Sequence, residues 1–230
     1  MGKRLLAGLL LIALFLGTMT LWLPAVVSQT VAQGMKGILH SEQAAAQVTK
    51  EPAFLMLKGQ FDSVQIQARD ARMDKVAFSE IQARLEGLQL DVGDLLKRRA
   101  VVIRSLSKAS ITAALSEAEL ARHLNQAVKG VRGATVKVSK GKVEVAGSFS
   151  LGSLARMTVA LEGKVVADRD TIKFVTEKFL LNNASLGNIG GSVLTEIPIM
   201  NSKAFPFGVT VREVVMEEGR VLVYADNEAK

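Results

Sequence analysis

A chain of 230 residues that is 49% hydrophobic but only 5% aromatic can bury one sizeable, mainly aliphatic core and is too apolar to be disordered over most of its length. The absence of cysteine excludes a disulfide framework, a thiolate metal site and a lipoprotein anchor built on a lipobox cysteine. The net charge is +7, from 29 basic and 22 acidic residues, yet base-stacking aromatics are scarce, which argues against nucleic acid as a partner.

The chain opens with MGKR, and no further charge appears before Lys36. Leu5 to Val27 is 23 residues, where a membrane-crossing helix needs about 20, and Trp22 is placed like an interfacial anchor. Lys3 and Arg4 ahead of this run put the N-terminus in the cytoplasm and the rest of the chain outside. A cleaved secretory signal would use VVS before Gln29 or TVA before Gln33. The run exceeds a usual signal core of about 7–15 residues, so an uncleaved anchor over 1–27 is preferred. The expected location is the extracytoplasmic face of the cell membrane, or outside the cell if the signal is removed.

Val31, Met35, Ile38 and Leu39 have helical spacing, and an alanine run follows. The spacing predicts a juxtamembrane helix over 28–48, in a 28–51 segment that ends at Glu51-Pro52, because proline disfavours helix at the residue before it. Gly34 and Gly37 favour a spacer over an amphipathic helix lying on the bilayer.

From residue 53 onward one kind of element recurs. AFLMLKG reads as a short strand, and Val64, Ile66 and Ala68 alternate in SVQIQARDARM. Val76, Phe78, Ile81, Ala83 and Leu85 keep nearly one face, with a phase slip that predicts a bulge, before Leu88 and Leu90. AVVIRSLSKASITAAL reads as one or two strands. Val143, Val145, Gly147, Phe149 and Leu151 alternate, and after a turn Met157, Val159, Leu161, Gly163, Val165 and Ala167 do the same. TIKFVTEKFLLNN is another strand, and GVTVREVVMEE and RVLVYAD form a hairpin turning at Glu218-Gly219. The fold class is α+β, with a long, antiparallel, strongly twisted sheet. No linker divides 52–226, which reads as one domain followed by a short tail over 227–230.

One helix interrupts the strands. Ser116 and Glu119 have capping-box spacing, Leu120, Leu124, Ala127 and Val128 form a stripe, and Gly130 can close the helix. A weaker helical signal lies in ASLGNIGGSVLTEIP, between Ala184 and Pro198.

The inventory for catalysis is thin. His40 and His123 are the only histidines, and there is no Ser-His-Asp set, HExxH, GxSxG or Walker loop. Asp91 and Asp94 read as turn and cap chemistry before a metal pair. No enzyme activity, cofactor or metal is expected. Basic residues cluster at Lys97, Arg98, Arg99, Arg104 and Lys108, and at Lys137, Lys140 and Lys142, which suits either a solvated face or anionic lipid head groups.

A helix of this length, roughly 20 Å at 1.5 Å per residue, cannot cover so much one-faced sheet. The surplus must meet a second sheet layer, the weak helices, a partner or an apolar ligand, and an aromatic-poor face with Ala146, Gly147, Gly163 and Ala167 suits flexible acyl chains.

The succession from Ser63 to Asn125, with its step at Gly87-Leu88 to Leu95-Leu96 and its strand running into a helix at Leu115 to Leu124, resembles the LmeA family of bacterial phospholipid-binding proteins. The closing segment EIPIMNSKAFPFGVTVREVVMEEGRVLVYAD, with Pro206, Gly208 and Gly219, is similar as well. The resemblance covers about residues 52–226 and defines no active-site residues. It implies a curved sheet wrapping a helix, with lipid in an apolar groove, as in the tubular lipid-binding superfamily. On this basis a phospholipid or lipid-linked precursor is the expected partner, at the cytoplasmic membrane and in cell-envelope maintenance. Phe78, Val145, Phe149, Val159, Leu161 and Phe174 are expected to line the groove, with core packing as the alternative for each. Arg98, Arg99, Lys140 and Lys142 are expected near the head group. A non-catalytic scaffold that recruits partners at a sheet edge is the competing function.

Overall fold

Leu23, Val31, Met35 and Leu39 recur at helical intervals, and residues 22–39 form helix α1 with that stripe buried. The computed structural model describes residues 22–98, 102–127, 131–151, 155–181, 184–185 and 196–228. Among them no helix is long and apolar enough to cross a membrane, and residues 5–21 of the expected span lie outside the described residues. The fold is mostly β, in antiparallel sheets with a few helices.

Two compact units share the chain, one built from residues up to 68 and from 82–109, the other from 69–81 and from 110 onward. Two long strands, β2 (Gln60–Met73) and β3 (Val76–Leu90), supply residues to both. The alternation of buried positions slips between Ala68 and Ala71 on β2 and between Phe78 and Ile81 on β3, close to where the chain changes unit. Asp70 takes a positive φ of 50° at the first slip, and the second is the bulge expected from the sequence.

In the first unit α1 ends at Leu39 and Gln43–Thr49 is strand β1, so the helix expected over 28–48 stops early. The alanines there alternate along an edge strand in the order β1-β2-β3, where hydrogen bonding to β2 overrides their helical propensity. Ala53–Lys58, expected as a strand, is a 3-10 helix that buries Ala53 and Met56 one turn apart. Gly59 closes it in the left-handed region and accepts the Leu90 N–H at 2.8 Å. Helix α2 (Val92–Arg98) follows β3, and β4 (Ile103–Ser105) pairs antiparallel with β3.

In the second unit one sheet runs β2-β3-β5-β13-β12, with β5 (Lys108–Ser116) antiparallel to β13 (Arg220–Asp226) and β13 hairpinned to β12 (Thr210–Glu217). The stretch that read as one or two strands is therefore two, β4 and β5. The other sheet runs β9-β8-β7-β6, from β6 (Val131–Ser139), β7 (Lys142–Leu151), β8 (Ala155–Asp168) and β9 (Thr171–Leu181). Two short strands pair with β9, β10 (Ala184–Ser185) and β11 (Glu196–Asn201). The weak helical signal at 184–198 thus begins and ends in strand, and residues 186–195 lie outside the described residues.

Helix α3 (Glu117–Ala127) begins as the capping signal predicts, with the Glu119 N–H donating to Ser116 Oγ at 3.3 Å. The Glu119 carboxylate accepts from Arg122 at 2.5 Å. Its expected stop at Gly130 lies outside the described residues. The helix lies along edge strand β6: Val138 N–H donates to Glu117 Oε1 at 2.8 Å and Ala134 N–H to Asn125 Oδ1 at 2.9 Å. Groups that an edge strand would present to a neighbouring chain are thereby satisfied from within. β12 packs against β8, which brings the two sheets of this unit together.

Candidate functional site

In the first unit α1, β1 and the 3-10 helix surround a cavity of about 970 Å³. α1 contributes Pro24, Ala25 and Ser28, the end of β1 contributes Gln47, Val48 and Thr49, and the connecting turn and 3-10 helix contribute Lys50, Glu51, Pro52, Ala53 and Met56. The volume lies at the upper end of the roughly 300–1,000 Å³ usual for small-molecule sites. Val48, Ala53 and Met56 are buried and supply aliphatic wall. The Val48 N–H donates to Ser28 Oγ at 3.1 Å, tying α1 to β1 across one end.

The turn between β1 and the 3-10 helix is held by one carboxylate. Asp62 on β2 accepts from Lys50 Nζ at 2.6 Å and from the Glu51 N–H at 3.0 Å. Together these donors, the lysine first, hold the Asp62 carboxyl below its ordinary 3.8. Lys50, a wall residue, is thus neutralised locally, and the remaining polar wall atoms are amide, hydroxyl and one further carboxylate, Glu51.

The residues expected to line a groove fall in the second unit. Val145 faces Leu161 across β7 and β8, Val159 faces Leu181 across β8 and β9, and Phe174 faces Val165 on β8 and Ile197 on β11. Val145, Val159, Leu161 and Phe174 are at most 9% exposed. Phe78, fully buried on β3, lies against Phe205 with ring centroids 6.0 Å apart. Phe149 faces Met157 in register, and its side chain lies outside the described residues. A smaller groove of about 320 Å³ lies over β6, β7, β8 and β9, and its lining includes Val145 and Leu161, two of the residues expected to line a groove, beside Thr135, Ala146, Ala160 and Leu180.

The basic residues divide between the units. Arg98 is exposed at the end of α2, 3.6 Å from Asp94, and Arg99 lies outside the described residues. Lys140 and Lys142 flank the β6–β7 turn, where the Lys140 N–H donates to Glu218 and Lys142 Nζ to Glu144 at 2.5 Å. Asp91 caps α2 through the Asp94 N–H at 3.2 Å and pairs with Arg104 at 2.6 Å. His123 is half-buried with Nε2 3.2 Å from the Pro198 carbonyl oxygen. No cluster of three or more potential metal ligands occurs among the described residues.

The cavity combines buried aliphatic wall at Val48, Ala53 and Met56 with polar wall at Ser28, Gln47, Thr49, Lys50 and Glu51. The family model for LmeA-like phospholipid-binding proteins matches residues 18–226. The chain belongs to this family. The match starts at Thr18, so α1 and the cavity walls are part of the LmeA-like region, which begins well before the Pro52 boundary suggested by the sequence resemblance. LmeA-like proteins form a lipid-binding family and not a known catalytic domain. No curated protein and no solved structure matches the chain. The cavity of this LmeA-like chain is not visible in the sequence, because its walls come from segments whose local pattern suggests a spacer helix and a strand. Its one signal was the apolar AFLML run directly after a proline.

Proposed function

We propose that the protein is an extracytoplasmic, membrane-tethered phospholipid-binding protein that holds or shuttles a phospholipid or lipid-linked precursor in envelope maintenance. The observation that carries this reading is a cavity of about 970 Å³, part apolar and part polar, within an LmeA-like chain. An acyl chain lying along Val48, Ala53 and Met56 gains about 25 cal/mol per Å² of apolar surface removed from water. Tethering is supported by α1. Cleavage before Gln29 or Gln33 would remove buried Leu23 and the wall residues Pro24 and Ala25, and the later site would take buried Val31 too. A scaffold recruiting partners at a sheet edge has less support, since α3 covers the β6 edge.

The full chain, extracted from membranes and washed extensively, is expected to retain phospholipid at about one molecule per chain in an organic extract. Ala25→Trp is expected to lower that occupancy without changing the melting temperature, because Ala25 is an exposed wall residue that a larger ring can fill inward. Loss of all phospholipid on washing, with none regained on adding it back, would contradict the reading.

A further inference from the structure

The two helices that contribute walls to the cavity also carry exposed apolar side chains. On α1 Trp22 and Val26 are each 49% exposed, and on the 3-10 helix Phe54 and Leu57 are 44% and 52% exposed. Trp22 and Val26, one helical turn apart, bracket the wall residues Pro24 and Ala25. Phe54 and Leu57, one 3-10 turn apart, alternate with the wall residues Ala53 and Met56. Five of the six exposed large hydrophobic side chains among the described residues therefore lie on the two helices that supply cavity walls, and four of them are within two residues of a wall residue in the chain, a concentration that marks an interaction surface.

The chain itself indicates what covers it. The exposed stripe of α1 begins with Trp22 and Val26 and continues with the exposed polar residues Gln29 and Gln33, with exposed Ile38 off this stripe beside Leu39, so the apolar part of the stripe lies at its first end. That is the end at which the charge-free run from Leu5 arrives. Tryptophan favours the membrane–water interface, and exposed Lys58 follows Leu57, where an anionic head group would attract it.

We propose that Trp22, Val26, Phe54 and Leu57 form a docking face that sits in the interfacial layer of a phospholipid bilayer and sets the mouth of the cavity at the membrane surface. The proposal rests on the lipid-binding reading above and adds to it the route by which an acyl chain enters. Trp22 would stay near the bilayer through its adjacent apolar run alone. Phe54 and Leu57, more than thirty residues further along the chain, reach it only if the face docks.

The cysteine-free chain allows a clean test. Leu57→Cys and, as a control on the exposed surface of the second unit, Glu177→Cys each carry an environment-sensitive fluorophore in the full chain, reconstituted into phosphatidylethanolamine and phosphatidylglycerol vesicles. The probe at position 57 is expected to emit at shorter wavelength, lose its emission to lipids brominated near the head group and be shielded from iodide. The probe at position 177 is expected to show the reverse. A probe at 57 that iodide reaches as readily as the one at 177 would overturn docking. So would one shielded from iodide but untouched by brominated lipid, which would mean that a second copy or another protein covers the face. Phospholipid retained after washing reports the lipid-binding reading separately: retention with an iodide-accessible position 57 sinks the docking face alone, and a docked position 57 without retention sinks the cavity reading alone.

Discussion

Gly59 stands at φ +76°, and a Cβ there would run into the Leu90 carbonyl oxygen and lie 2.9 Å from Val92 Cγ2. Gly59→Ala combines left-handed strain with overpacking and is expected to cost about 2–4 kcal/mol, read as a lowered denaturation midpoint. Gly163 has a different problem: no unusual φ, but a Cβ that would strike the Val175 carbonyl and meet the Phe174 ring edge at 3.0 Å, beside the β8–β9 bulge. Asp62 governs acid behaviour near the cavity. Because Lys50 and the Glu51 N–H hold its folded-state carboxyl below the ordinary 3.8, its contribution is fully present above that value and is lost as pH falls through the lower folded one. Asp62→Asn is therefore expected to flatten the stability profile below about pH 4 and leave its shape near neutrality unchanged, measured by urea unfolding at a series of pH values. Of these residues the sequence singled out Gly163 for its smallness alone. The role of Asp91 as a cap was legible because capping depends only on neighbours along the chain.

At the level of elements, what was legible followed periodicity. The buried set on β3 is the one read from alternation, with Leu88 and Leu90 resuming after a second slip at Gly87, where φ is +62°. The start of α3 and the closing hairpin also follow from local signals. β1 and the 3-10 helix were illegible for one shared reason. Both depend on tertiary pairing: the alanines favour helix until β2 pairs with them, and a five-residue apolar run after proline shows no period long enough to separate strand from 3-10 turn. The covering of the β6 edge by α3 could not be read either, because the polar residues responsible, Glu117 and Asn125, look like ordinary helix surface. Asn125→Ala leaves the Ala134 N–H without its partner and is expected to cost about 1–3 kcal/mol, with faster amide hydrogen exchange confined to β6.

Across the whole molecule, the surplus apolar sheet face that posed the question of a ligand is met in the second unit by another sheet layer, with β12 against β8. That was one of the coverings the sequence allowed; Val145, Val159, Leu161 and Phe174 are buried, and Val145 and Leu161 also line the smaller groove over β6 to β9. A larger cavity lies in the first unit, among residues 24–56. The most direct test uses a phospholipid with a photoactivatable group on its acyl chain, incorporated into membranes that contain the full protein, with cross-linked peptides mapped after illumination. Cross-links at Val48, Ala53 and Met56, reduced by Ala25→Trp, are the result expected if the cavity holds lipid. Cross-links confined to the apolar run over 5–21, or mapping to β7 and β8 of the second unit, would contradict it.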